Sequence, residues 1–144
     1  MSVFLMVTVM VIFTSFASGF SVHEAPSGGL TWSEAREQCR NRGSTLVRIG
    51  DAAEAAELMN AFRAYNCWVG AYQPPDARDD EPRGGWIWAD RPATERPVAM
   101  KSWLWKCRQP SNWRSNEHCG ELIDCAGMND LDCNRRLSCY ICED

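Results

Sequence analysis

The 144-residue chain contains no Asn-x-Ser/Thr sequon, no stripe of basic residues, no internal repeat and no low-complexity tract. The missing sequon removes N-glycosylation. With a net charge of −4 and no run of Lys and Arg, nothing is available to neutralise a phosphate backbone, which excludes nucleic acid as a partner. Charge is also missing from the start of the chain, where no Asp, Glu, Lys or Arg precedes Glu24. An apolar core from Val3 to Phe13 runs into the small residues Ala17, Ser18 and Gly19. That is the layout of a secretory signal peptide, although its basic start is lacking apart from the amino terminus. An uncleaved membrane anchor is the competing reading. The Ser and Thr content and the small-residue end favour cleavage, so residues 1–19 are assigned as a leader and the chain is expected to be secreted, without stable membrane insertion. About 125 residues remain, enough for one domain with one core.

Catalytic pairs are missing too. Glu117, Glu121 and Asp124 lie near one another in sequence, but Glu121 and Asp124 have opposite parity on a strand. Neither histidine has a serine or cysteine at triad-like spacing that a disulfide does not claim better, so an enzyme is rejected. Cysteine, in contrast, is plentiful: all eight lie beyond the leader, an even set that in an exported chain reads as disulfides. Zinc would have to use Cys139-x-x-Cys142 with His23 and His118, and those histidines lack ligand spacing.

Taken in order, Phe20 to Ala25 alternates weakly as an edge-like strand, and Pro26-Ser27-Gly28-Gly29 breaks it. Thr31 with Glu34 forms a capping box for a helix whose inner face carries Trp32, Ala35 and Cys39, and Gly43 ends it. Leu46 to Ile49 is extended. Asp51 caps a second helix from Ala52 to about Tyr65, with the stripe Ala55, Met59 and Phe62. Asn66 to Tyr72 reads as a buried strand. A long irregular segment follows, broken by Pro74-Pro75, Pro82, Gly84-Gly85, Pro92 and Pro97 and containing Trp86-Ile87-Trp88-Ala89-Asp90. A loop of this length in a compact domain is usually functional. Its acidic run 79–81 reads as a solvated turn. Gly120 to Ile123 and the chain from Asp130 onwards read as strands, ending in Leu137 to Glu143.

The stretch from Cys107 to Asp130 carries the chemistry. Gln109, Glu117, Asn129 and Asp130 fall in three short clusters, each beside a cysteine. Calcium takes six to eight oxygen ligands from carboxylates, amides and carbonyls, and Pro110 restricts the backbone between Gln109 and Ser111. The plainer reading of the same residues is a polar loop and a hairpin.

From residue 20 to 143 the chain resembles the C-type lectin-like domain. The likeness rests on Thr31-Trp32-Ser33-Glu34-Ala35 with Cys39, on Trp68-Val69-Gly70-Ala71, and on Trp86-x-Trp88-x-Asp90. It continues with Glu117-His118-Cys119, Met128-Asn129-Asp130-x-x-Cys133 and Ile141-Cys142-Glu143. The resemblance implies an α+β fold: two helices flanking two small antiparallel sheets, stapled by disulfides, with a long loop bearing the ligand site. It implies the pairs Cys39–Cys142 and Cys119–Cys133. Placed on that fold, the remaining cysteines predict Cys67–Cys139 and Cys107–Cys125, although a loop cysteine in this family sometimes bridges two chains and would then make an oligomer.

The implied function is carbohydrate binding, with Ca2+ held by Gln109, Glu117, Asn129 and Asp130 and the same side chains contacting sugar hydroxyls. Microbial surface glycans, and a part in innate immunity, are the expected setting. Two departures stand out. Ser111 replaces the acid or amide that follows proline in sugar-binding members, which weakens the expected calcium site, and Met128 replaces the usual tryptophan. Gln109-Pro110 resembles the galactose-type motif, and Trp113 just after it is placed to stack on galactose. The alternative implied by Ser111 is a calcium-independent protein-binding or ice-binding module.

Overall fold

The computed structural model describes residues 19–61, 66–80, 84–123 and 127–144. Apart from Gly19, the predicted leader lies outside them.

The chain enters as strand β1 (Phe20–Glu24) and turns into helix α1 (Trp32–Asn41). The Thr31 side chain accepts from the Glu34 backbone amide while the Glu34 carboxylate accepts from the Thr31 amide, so the predicted capping box is closed in both directions. After α1 comes the short strand β2 (Thr45–Leu46), then helix α2 (Ala52–Ala61), capped by Asp51 as expected through a 2.9 Å bond from the Glu54 amide. The inward residues of α2 are Ala55 and Leu58, with Met59 half-buried. Leu58 therefore joins the predicted stripe as its fully buried member, while Met59 packs half-buried against the same core, because helical neighbours three apart share a face as readily as those four apart. Phe62 and the predicted continuation to Tyr65 lie outside the described residues.

Strand β3 (Cys67–Tyr72) is the centre of the molecule. It pairs antiparallel with β4 (Ile87–Trp88) and β5 (Cys119–Ile123), and parallel with β7 (Cys139–Glu143). Strand β6 (Gly127–Leu131) completes a hairpin with β5, and β7 also pairs with β1 and β2. The two small antiparallel sheets expected from the sequence are thus continuous: the short parallel contact of Cys67 with Cys139 and Trp68 with Tyr140 joins them into one mixed sheet.

Alternation along β3 and β7 sends side chains to two cores. One holds Trp32, Ala35 and Cys39 of α1 against Leu46, Trp68 and Tyr140. The other packs α2 and the long loop, through Trp86, Trp88, Leu104 and Trp105, against Val69, Leu122, Met128 and Ile141. Met128 is fully buried, so the exchange of tryptophan for methionine is a change of core packing. Gly70 is required by close approach, since a Cβ there would lie 2.8 Å from the Leu46 carbonyl oxygen.

Among the described residues three disulfides staple the fold: Cys39–Cys142 ties α1 to β7, Cys67–Cys139 ties β3 to β7, and Cys119–Cys133 ties β5 to the turn after β6. All three are the pairs expected. The fourth expected pair involves Cys125, which lies outside the described residues; Cys107 is an exposed free thiol.

Candidate functional site

The site loop is strapped to the sheet before it begins. The Met128 amide donates to the Leu104 carbonyl and the Lys106 amide donates back to the Met128 carbonyl, so residues 104–106 run along β6 as an extra, irregular strand. Gly127 makes this approach feasible: its φ is +101°, and a Cβ there would meet the Leu104 carbonyl oxygen at 2.9 Å. From Cys107 the chain leaves the sheet and passes through a cis Gln109–Pro110 bond. It then takes left-handed conformations at Asn112, Arg114 and Ser115. The loop contains no glycine, and Arg114 and Ser115 carry the positive φ angles that glycine would tolerate better.

Two carboxylates hold this loop in place. Asp130, fully buried on β6, accepts from the Ser111 amide at 3.0 Å through Oδ1 and from the Asn112 amide at 2.6 Å through Oδ2. Glu117 Oε2 accepts from the Trp113 amide at 2.9 Å and from the Ser111 hydroxyl at 3.3 Å. The Glu117 amide in turn donates to the Asn112 side-chain oxygen at 3.2 Å. Ser111 thereby links the two acids directly. Burial, and then the charge of Asp130, push the Glu117 carboxyl above its ordinary range against the opposing pull of the Trp113 amide.

Asn129 reaches this group by another route. Its amide nitrogen donates to Glu121 Oε1 at 2.9 Å, across the register pair Glu121–Asn129 of the β5–β6 hairpin. Glu121 is only 3% exposed, and burial pushes its carboxyl up, with the negative charge of Glu117 adding a smaller push. Gln109 makes no side-chain hydrogen bond to the others. Its Oε1 is buried without a partner.

Of the six predicted site residues, Ser111, Trp113, Glu117 and Asp130 are therefore joined directly. Asn129 is joined through Glu121, and Gln109 through the chain alone. The Trp113 side chain is 61% exposed, which rules out a buried loop anchor. Arg114 places its guanidinium carbon 4.2 Å from the centre of the Trp113 ring, covering part of its surface. Trp113, Glu117, Leu131 and Asp132 share a cavity of about 340 Å³ with Arg114 and Arg135.

Sequence reasoning did not assign roles to two supporting residues. Glu121 entered it only as a carboxylate near Glu117; the signal was strand parity, which puts it opposite Asn129 once the hairpin is paired. Fully buried Gln73 donates to the Gly84 carbonyl and pairs with His118 Nδ1 at 3.1 Å, tying the long loop to the start of β5. Burial lowers the His118 pKa, which keeps the ring neutral in this role.

The donor set suits a hard cation only in part. Gln109 Oε1, Glu117 Oε1 and Asn129 Oδ1 accept no hydrogen bond among the described residues, and both Asp130 oxygens keep a second lone pair. No three Asp, Glu, His or Cys side chains among the described residues stand close enough to hold an ion by themselves, so any such site depends on the two amides.

The profile of the lectin C-type domain matches residues 28–144. A C-type lectin mannose-binding isoform from Oxyuranus scutellatus is 29% identical over 122 residues, covering 78% of this chain and 69% of the relative. The carbohydrate-recognition domain of the mouse scavenger receptor C-type lectin superposes with a TM-score of 0.71 at 25% identity, covering 92% of this chain and 94% of that one. A calcium-independent type II antifreeze protein shares the fold with a TM-score of 0.68 at 22% identity, over 90% of this chain and 89% of its own. With the disulfides, the mixed sheet and the long loop in place, these matches lead to one conclusion: the chain belongs to the C-type lectin domain family.

Proposed function

We propose that this domain is a secreted carbohydrate-binding lectin whose site is built by Gln109, Glu117, Asn129 and Asp130, with Ser111 and Trp113 beside it. The observation that supports this reading is the set of uncommitted acceptor oxygens on Gln109, Glu117 and Asn129, next to an exposed tryptophan. A sugar diol offers hydroxyl donors to such oxygens and an apolar ring face to an indole. Calcium, when bound, would be held by the same four residues and would polarise the sugar hydroxyls. Because only Glu117 and Asp130 are anionic, its affinity is expected to be weak. The domain acts by binding and not by catalysis, and its ligands are proposed to be microbial surface glycans met in innate recognition.

Galactose or N-acetylgalactosamine is the proposed sugar, on the grounds of Gln109-Pro110 and the exposed Trp113. Mannose binding is named for the Oxyuranus relative. The test is competition elution from immobilised galactose and mannose, repeated with Trp113→Ala. Preferential galactose retention that the substitution weakens supports the proposal; tighter mannose retention, or galactose retention unaffected by the substitution, overturns it.

One observation favours a second reading, a calcium-independent protein-binding module. Asp130 and Glu117 already accept backbone donors from their own loop, which is therefore held without an ion. A melting curve unchanged up to about ten millimolar calcium would favour this reading, since ligands of the native state raise stability by mass action.

A further inference from the structure

The chain has two lysines, Lys101 and Lys106, and both line a single cavity of about 380 Å³ together with Arg108. Trp105, Cys107 and Gln109 form other parts of its wall, and no acidic side chain contributes to it. At the other end of the loop 109–117, Arg114 and Arg135 line the cavity of Trp113 and Glu117. Two acids share that cavity and, among the described residues, meet only neutral donors: Asp132 accepts from the Asn116 side-chain amide and the Asn134 backbone, and Glu117 Oε2 from the Trp113 backbone and the Ser111 hydroxyl, with Glu117 Oε1 left open.

Cations elsewhere in the molecule are treated differently. Arg36 and Arg40 share Asp90, Arg91 pairs with Glu143, and Arg136 pairs with Glu34. The side chains of Arg42, Arg48, Arg78 and Arg96 each donate to a protein oxygen. Among the described residues, the lysine and arginine side chains with no hydrogen bond or salt bridge to a protein oxygen are Lys101, Lys106, Arg108, Arg114 and Arg135, and all five line these two cavities, Arg135 also attracting the Glu121 carboxylate. In a chain of net charge −4 such segregation is not a by-product of composition. The cavity of Lys101, Lys106 and Arg108 is lined by one sign of charge, and such a wall focuses the field and attracts the opposite ion; in the second cavity the guanidinium groups of Arg114 and Arg135, which match the geometry of oxyanions, stand beside Glu117 and Asp132.

We propose that these two cavities extend the sugar site to an acidic polysaccharide. Its carboxylate or sulfate groups engage Lys101, Lys106 and Arg108 at one end of the loop and Arg114 and Arg135 at the other. A polymer is required because the loop separates the two sets of cations, and a chain carrying repeated anions reaches both. The inference rests on the lectin reading for the saccharide nature of its ligand, and depends on neither calcium nor galactose.

The test is binding of the mature domain, at about 150 mM salt, where weak surface attraction is screened, to three polymers: dextran sulfate, polygalacturonate and neutral dextran. Each is run with calcium and with EDTA. At least one anionic polymer is expected to bind about tenfold or more tighter than dextran, in EDTA as well as in calcium, and the one that binds identifies the anion. Lys101→Glu with Lys106→Glu, and separately Arg114→Ala with Arg135→Ala, should each weaken it about tenfold. Arg42→Glu, at the end of α1, should leave it unchanged. Melting curves of the variants confirm folding. Equal binding of all three polymers overturns the proposal, as does an equal loss with Arg42→Glu, which would mean delocalised attraction. Polyanion binding without any galactose retention supports this inference while removing the galactose reading.

Discussion

Asp130 holds the loop ahead of it by two backbone amides, taking Ser111 on one carboxylate oxygen and Asn112 on the other. A buried charge that closes a loop by itself makes the site's shape independent of whether an ion is present. Asp130→Asn removes the charge and turns one acceptor into a donor, leaving an amide of the loop unpaired. The expected cost is about 1.5–3 kcal/mol, the range for hydrogen bonds to charged groups. Urea denaturation should find that loss in EDTA as fully as in calcium. A loss seen only in calcium would contradict the account.

Glu121 illustrates the opposite case, a carboxylate whose burial is unfavourable. Its folded pKa is raised by burial, so the ionised form is penalised at neutral pH. The sign follows from linkage: stability associated with a raised group is present below its unfolded pKa and is lost as pH rises through its folded one. Glu121→Gln keeps an acceptor for Asn129 and removes the charge. It is predicted to stabilise the domain by roughly 1 kcal/mol at pH 7, with the advantage fading below about pH 4. Thermal melts of both proteins across that range check it, and a destabilised glutamine variant at pH 7 would refute it.

Asp90 is the link between the long loop and α1. It receives Arg36 Nε at 2.8 Å and Arg40 Nη2 at 2.9 Å, and the Arg36 hydrogen bond is the main cause of its lowered pKa. A lowered carboxylate contributes stability above its unfolded pKa and loses it as pH falls. Asp90→Asn should therefore cost about 1 kcal/mol at pH 7, given solvent screening of this surface network, and nothing once the pH is well below about 4. Chemical denaturation at both pH values measures the difference.

The disulfides should rank by the length of chain they close. Cys39–Cys142 and Cys67–Cys139 span 103 and 72 residues, against 14 for Cys119–Cys133. On the chain-entropy argument the two long closures contribute about 4–5 kcal/mol and the short one about 3. Removing each pair as a double serine variant should reproduce that order in denaturation midpoints. A short closure that matters most would show that native contacts, not chain entropy, dominate.

Where local chemistry decides the structure, the sequence was readable. The Thr31–Glu34 box, the Asp51 cap and the unbroken apolar run read as a buried strand over Asn66 to Tyr72 are statements about neighbours in the chain. The candidate site residues could be named from the family resemblance, but their wiring could not. That Asp130 serves the amides of Ser111 and Asn112, 19 and 18 residues away, depends on how the loop folds back. The joining of two sheets into one depends on the parallel contact of β3 with β7, which no periodicity records. Leu58 was missed beside Met59 because both are apolar, and only packing against the sheet decides that Leu58 is the more deeply buried of the two.

The most direct test of the proposed sugar site is a screen of immobilised glycans, performed with calcium and again with EDTA, for the natural sequence and for Asn129→Ala. That substitution removes an uncommitted acceptor oxygen without touching the bonds from Asp130 and Glu117 to the loop. The account predicts retention on glycans bearing exposed vicinal hydroxyls in calcium, weakened about tenfold or more both by EDTA and by the substitution. No retention on any glycan, or retention indifferent to chelator and to Asn129→Ala alike, would contradict it.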